Sequence, residues 1–133
     1  MANGIYIKGK EGILNGSINW LTDNIKIALV DTGAYTVNLS THTYLSDVPS
    51  GAIIATSANL DSKTVSGNAA DAADVTFSSV TGASVEAIVV YKDTGSTATS
   101  RLISYIDTGT GLPFTPNAGN IQVQWSTNGV FQL

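Results

Sequence analysis

The sequence contains no cysteine and no long apolar run, and it is poor in charged residues. Without cysteine, the chain has neither disulfides nor thiolate metal sites. No apolar stretch is long enough to cross a bilayer as a helix, so we expect no membrane partner. Residues 1–8 lack a basic flank followed by a long apolar run, so we predict no signal peptide and expect synthesis in the cytoplasm.

Charged residues make up only 12% of the chain, whereas soluble domains usually have about a quarter. The six cations are scattered and the net charge is −4, so no basic patch is present to neutralise a phosphate backbone. We therefore expect no nucleic-acid partner. Depletion of charge is typical of surfaces that meet other subunits, but a hydroxyl-rich β domain has the same composition. Both interpretations stay open on composition alone.

Residues 84–93 form the clearest predicted strand. Alternation divides this segment into two faces that are both apolar in the middle: Val85, Ala87, Val89 and Tyr91 on one, and Glu86, Ile88, Val90 and Lys92 on the other. A strand of this kind is covered on both sides, so we predict that it lies centrally in a sheet. The Asp93-Thr-Gly95 turn then ends it.

Shorter strands are predicted elsewhere along the chain. They cover residues 25–30, 52–56, 63–65, 74–77, 102–106, 121–125 and 130–133. In the first of these, alternation directs Ile25, Ile27 and Leu29 to the core. We expect the second and third to pair with each other, and residues 102–106 to lie antiparallel to the central strand. Strict alternation in residues 121–125 predicts one solvated face.

Helical structure is predicted only in short pieces. Residues 6–14 favour a helix that stops at Asn15-Gly16, although Gly9 and Gly12 each weaken it by about 1 kcal/mol. Residues 41–47 favour a helical turn with a hydroxyl cap. With 133 residues, the chain fits one all-β domain over residues 1–133, a β-sandwich or jelly-roll-like domain with a short N-terminal helix or arm.

The tripeptide Asp-Thr-Gly occurs at Asp31, Asp93 and Asp107. Residues 27–34 resemble the active-site strand of retroviral-type aspartic proteases, in which a homodimer would bring two copies of Asp31 together to share a proton. The second signature of that family, two apolar residues followed by glycine, is absent. Repetition after three strands favours a turn instead, with aspartate as its cap and glycine at positive φ. We predict that the protein is not an enzyme and has no catalytic residue, and we keep an aspartic protease at Asp31-Thr32-Gly33 as an alternative.

Metal and cofactor sites find little support in the sequence. His42 is the only histidine, and its neighbours have no metal-ligand spacing, so we interpret it as structural. Asp71 and Asp74 could contribute to a calcium site, but the Asp-x-Asp loop and the bidentate glutamate of such sites are missing. No phosphate loop or dinucleotide fingerprint is present. We predict neither a metal nor a cofactor.

Taken in order along the chain, a series of segments resembles a family of small virion proteins of tailed bacteriophages, of the head-decoration or cement type. The segments are KEGILNG (10–16), IKIALVD (25–31), HTYLSDVP (42–49), DAADVTF (71–77), EAIVVYKDTG (86–95), LISYID (102–107), GLPFTPN (111–117) and FQL (131–133). The resemblance runs along nearly the whole chain and depends on the order of these segments rather than on any single motif. It brings no catalytic residue with it.

This resemblance implies a structural protein on the outside of a capsid, made in the host cytoplasm. Its expected partners are the major capsid protein and further copies of itself, as a dimer or trimer. We expect contacts through residues 2–15, 36–49 and 107–120, which are rich in apolar side chains but lie outside the strands. The candidate interface residues are Ile5, Tyr6, Ile7, Tyr35, Tyr44, Leu45, Leu112 and Phe114. The alternative is a module at the tail tip or fibre, where Tyr35, Tyr44 and Phe114 would line a glycan or protein site.

Overall fold

The fold, obtained as a computed structural model, is described for residues 3–108, 112–125 and 129–133. It consists mostly of strands in antiparallel sheets with one short helix, in agreement with the predicted all-β class. The strands are β1 (Gly4–Ile5), β2 (Ile25–Val30), β3 (Ile53–Thr56), β4 (Thr64–Ser66), β5 (Ala69–Asp71), β6 (Val75–Phe77), β7 (Ala87–Lys92), β8 (Leu102–Ile106), β9 (Ile121–Val123) and β10 (Phe131–Gln132). The helix is α1 (Ile7–Leu14), and 3₁₀ turns cover Leu45–Asp47 and Ser50–Ala52. Across the described ranges, no helix has the length and apolar character needed to span a membrane.

The central element is a five-stranded sheet in the order β1-β8-β7-β2-β3. Strand β7 lies in its middle and pairs antiparallel with β8, as predicted, and also with β2. Its two faces enter two separate clusters of buried side chains, which confirms that it is covered on both sides. Val85 was assigned to the wrong face: it packs with Ile88 and Val90 rather than with Ala87. The reason is that Val85 lies outside β7 and forms an isolated bridge with Phe114, so the alternation does not extend to it.

Strand β2 directs Ile25, Ile27 and Leu29 into the same cluster as Ile88, which confirms their predicted direction. The opposite face of β2 is also buried, because Ala28 and Val30 pack in the second cluster. Strand β2 is therefore covered on both sides like its neighbour β7. Segments distant in sequence provide this second cover, which the local alternation could not reveal.

The predicted pairing of residues 52–56 with residues 63–65 is wrong. Strand β3 pairs with β2, where it completes one edge of the large sheet. Strand β4 pairs with β5 through the two-residue turn Gly67-Asn68. Gly67 has φ +60, which glycine tolerates at the first central position of a hairpin turn. The short-range hairpin therefore determines the partner of β4.

Two small sheets, β10-β5-β4 and β6-β9, accompany the large one. The pairing of β10 with β5 accounts for the strand predicted over residues 130–133. In residues 121–125, Gln122 and Gln124 are exposed on either side of buried Val123, so the predicted solvated face is confirmed. Of the loop predicted over residues 107–120, residues 109–111 lie outside the described part of the chain.

Helix α1 begins and ends close to its predicted limits and stops at Asn15, followed by Gly16 with φ +82. The helix and β1 cover the edge of β8. Tyr6 donates its main-chain N–H to Ile103 O at 2.9 Å, and the Arg101 guanidinium donates to Lys8 O at 2.8 Å. The bond from Tyr6 occupies a backbone group of β8 that would otherwise be available for pairing with another strand.

The helical turn predicted over residues 41–47 is present as the 3₁₀ turn Leu45–Asp47. Its predicted hydroxyl cap is replaced by a carboxylate. Asp47 Oδ2 accepts the main-chain N–H groups of Thr43 at 2.7 Å and Tyr44 at 3.0 Å. An ionised acceptor makes shorter and stronger hydrogen bonds than a hydroxyl, and these two bonds hold the pKa of Asp47 below its ordinary value.

Candidate interaction surface

Most of the large apolar side chains that remain exposed in the described residues lie together. They are Leu14 (86% exposed), Leu21 (53%), Val65 (55%) and Leu133 (57%). These four line two adjoining grooves, which share Ile13 and Leu133. We call the four side chains and the grooves between them the apolar surface. Contiguous apolar patches on soluble proteins mark sites of interaction.

The floor of the first groove is aromatic. Trp20 and Phe131 pack edge to face, with ring centroids 5.3 Å apart and an interplanar angle of 86°. The Trp20 indole N–H donates to Asp71 O at 3.1 Å, which fixes the ring. Trp20 is only 8% exposed and belongs to the main core cluster. The first groove, with a volume of about 270 Å³, therefore has a rigid base.

The elements that form the walls of the apolar surface are distant in sequence. Leu14 ends α1, Val65 lies in the middle of β4, and Leu133 follows β10. No charged side chain lines the first groove among the described residues. Lys10 is the only charged one described in the second. A surface of this composition can bind an apolar protein surface.

Three of the predicted interface residues are buried in this chain: Tyr6, Tyr35 and Leu45 are 0%, 3% and 5% exposed. They pack together in the second core cluster with Val48, on one face of the large sheet. Each is large and apolar enough to form an interface. The segment between β2 and β3, which contains Tyr35 and Leu45, instead folds back over the sheet, so that these side chains are buried together with Tyr6.

The other five predicted interface residues are accessible to different degrees. Ile7 is 44% exposed, and Ile5, Tyr44, Leu112 and Phe114 are half-buried. Leu112 and Phe114 pack against the first core cluster, on the opposite face of the sheet from Leu45. Ile5 lines the second groove beside Leu14 and Leu133. The eight residues are therefore not brought together in one surface.

Sequence reasoning did not select Leu21, Val65 or Leu133. A signal was present for one of them, because Val65 is the single large apolar residue of SKTVSGN. Such a residue has few local partners, so it is a candidate for exposure or for contact with another molecule. The proximity of all three to Leu14 could not be predicted, because it depends on the packing of α1, β4 and β10.

A chain of hydrogen bonds runs through the second core cluster from Tyr6 to His42. The Tyr6 and Tyr35 hydroxyl oxygens are 2.9 Å apart, and Tyr35 OH lies 2.8 Å from His42 Nδ1. The Asn38 N–H also donates to Nδ1 at 3.3 Å, so Nδ1 is the acceptor, Tyr35 donates to it and Tyr6 donates to Tyr35. Burial raises the pKa of Tyr35 to about 12 and that of Tyr6 further. His42 thus holds the buried hydroxyls in place.

The Asp-Thr-Gly tripeptides at Asp31 and Asp93 form turns with aspartate as the cap. Asp31 Oδ1 accepts the Gly33 N–H at 2.9 Å, and Asp93 Oδ1 accepts the Gly95 N–H at 3.1 Å. Gly95 has the predicted positive φ, +88, but Gly33 does not. At Gly33 a Cβ would lie 3.1 Å from Asp31 Oδ1, so a side chain there would require that carboxylate oxygen to shift by a few tenths of an ångström. The third tripeptide extends beyond the described residues.

The two aspartates considered for calcium also bond to the main chain. Asp71 Oδ1 accepts the Ala72 N–H at 2.8 Å, and Asp74 Oδ1 accepts the Trp125 N–H at 3.2 Å. No cluster of three or more potential metal ligands occurs in residues 3–108, 112–125 and 129–133. These carboxylates stabilise the turns that lead into β6 and out of β9.

No protein-family model matches this chain, and no curated protein matches it.

Proposed function

We propose that the protein is a structural component of a bacteriophage virion that decorates the outside of the capsid and bridges neighbouring shell subunits. The ordered series of segments that resembles head-decoration proteins motivates the proposal. The observation that carries it is the apolar surface, where Leu14, Leu21, Val65 and Leu133 are all more than half exposed. A protein with such a surface on a charge-poor chain is suited to binding other proteins.

A bridging protein does not need a tight contact at any single point. When copies are joined to one another and each touches the shell, every further contact forms at a high effective concentration, and avidity exceeds the affinity of one site. Each contact that exists only in the assembled shell also stabilises the shell over its separated subunits. The major capsid protein is the proposed partner, and the capsid exterior the proposed location.

A rigid body is an advantage for this task. The large sheet has buried clusters on both faces, and the small sheets β10-β5-β4 and β6-β9 contribute Ala70, Phe77 and Val123 to one of them. We propose that the large sheet and the two small sheets together form a sandwich-like body. The Asp31 and Asp93 carboxylates cap the turns that follow β2 and β7, and segments held in this way lose little conformational freedom on binding.

The direct test uses heads of the encoding phage from which this protein has been removed. Purified protein is added back, and the heads are imaged by cryo-electron microscopy. We expect density at regular positions on the shell in hundreds of copies, together with a higher temperature of head disruption. Absence of binding to heads, or a handful of copies confined to the tail, would overturn the proposal; the second result favours the tail-tip alternative.

A further inference from the structure

We propose that the apolar surface is the contact between two copies of this chain, each presenting the same surface to the other. The inference deepens the proposed function and takes its biological setting from it. It specifies which part of the molecule joins the copies: the end of α1, the middle of β4 and the residue after β10. Of these three, only the end of α1 lies in the contact segments predicted from the sequence, residues 2–15, 36–49 and 107–120.

Exposure is the first reason. Leu14 is 86% exposed at the end of α1, and Leu21, Val65 and Leu133 are each more than half exposed around the same grooves. In contrast, Tyr6 and Tyr35 are almost completely buried. The fold therefore buries large side chains elsewhere but leaves these four exposed. Water is removed from the four exposed ones only when another surface covers them.

The lack of charge indicates that the covering surface is the same apolar surface of a second copy. A two-fold contact places the same residues of two copies opposite one another. Any charged side chain near the axis therefore faces the same charge in the other copy, and the two repel. The described residues that line the first groove include no charged side chain, and the second adds only Lys10. The apolar surface is thus compatible with itself. Contacts between identical subunits are also more apolar than contacts with transient partners.

The rigid floor of the groove favours the same contact. Trp20 and Phe131 are held edge to face, and the Trp20 N–H is bonded to Asp71 O. A preformed aromatic base loses little conformational freedom when it is covered, so more of the apolar burial is retained as affinity. The rim side chains Leu14 and Val65 of one copy can then be accommodated in the groove of the other.

The test compares self-association of the unmodified chain with that of charged variants by sedimentation velocity over a dilution series. We expect the unmodified chain to form a dimer or a higher oligomer. Leu14→Glu together with Val65→Glu is expected to raise the dissociation constant roughly 100-fold. Ile7→Glu is the matched control, because Ile7 is a 44% exposed apolar residue of the same helix that lines neither groove. Thermal unfolding establishes that all variants are folded.

A charge-swap experiment distinguishes contact with a second copy from contact with another protein. The Leu14→Lys, Val65→Lys variant is prepared beside the Glu pair, and each is expected to sediment as a monomer. Mixed together, they are expected to associate, because opposite charges then face one another. The proposal is overturned when the unmodified chain is monomeric, when the Glu pair remains associated, or when the mixture stays monomeric.

The same proteins are then added to stripped heads. A chain that self-associates through the apolar surface but never binds heads overturns the proposed function and leaves the contact between copies intact. A chain that binds heads as a monomer overturns the contact and leaves the proposed function intact.

Discussion

Gly9 of α1 packs directly against the main chain of Ile103 in β8. A Cβ at Gly9 would lie 2.9 Å from Ile103 Cα and 2.8 Å from Leu102 O. One turn later, a Cβ at Gly12 would lie 2.6 Å from Ile18 Cδ1. Both glycines weaken the helix locally, but Gly9 allows it to approach the edge of the sheet closely, and Gly12 leaves room for the Ile18 side chain.

Gly9→Ala is therefore expected to destabilise the protein although alanine favours helix formation. The gain in helix propensity is about 1 kcal/mol, whereas the clash is with backbone atoms that cannot move aside. We expect the free energy of unfolding in urea to fall by about 2 kcal/mol. Gly51→Ala is the control, because nothing lies within 4 Å of a Cβ there and its φ is not positive. An increase in stability for Gly9→Ala would contradict this packing.

Tyr35→Phe removes the central hydroxyl of the Tyr6–Tyr35–His42 chain. The buried Tyr6 hydroxyl then loses its acceptor, so we expect the free energy of unfolding to fall by about 1–3 kcal/mol. Adding Tyr6→Phe to the Tyr35→Phe variant removes the Tyr6 hydroxyl, which has lost its acceptor. The double variant is expected to lose less than the sum of the two single losses. Strict additivity in denaturant unfolding would show that the two hydroxyls are not coupled.

Alkaline pH is expected to destabilise the fold through its buried tyrosines. Burial raises the pKa of Tyr35 and Tyr91 from 10.0 to about 12. Because the folded state holds these protons more tightly than the unfolded state, the stability they contribute is complete below pH 10.0 and is lost as the pH rises through about 12. The checks are the melting temperature and the tyrosinate absorbance as functions of pH. Titration of all tyrosines near pH 10 in the folded protein would contradict the prediction.

Acid is expected to weaken the 3₁₀ turn at Asp47. Its pKa is lowered from 3.8, chiefly by the N–H groups of Thr43 and Tyr44. The stability that this carboxylate contributes is therefore present above pH 3.8 and lost as the pH falls through its lower folded value. Asp47→Ala is expected to cost about 1 kcal/mol near neutral pH, with a difference from the unmodified chain that shrinks in acid. Asp47→Asn keeps an acceptor oxygen and should cost less; an equal loss at all pH values would show that the charge plays no part.

Local sequence was sufficient wherever neighbouring residues decide the structure. The alternation in β2 and β7, the stop of α1 at Asn15-Gly16 and the aspartate-capped turn at Asp93-Thr-Gly95 were all predictable, because each depends on period or on turn chemistry over a few residues. The central position of β7 followed from the same reasoning, since a strand apolar on both faces needs cover on both.

Only the tertiary structure decided which apolar side chains are enclosed and which face solvent. Tyr6 and Leu14 lie at opposite ends of the same helical segment, yet Tyr6 is fully buried against Tyr35 and Leu14 is 86% exposed. The tertiary structure also decided the strand pairing. Strand β3 pairs with β2 and not with β4, the strand that contains Val65. Burial and strand pairing depend on contacts between residues far apart along the chain, and the local pattern contains no information about which of those contacts form.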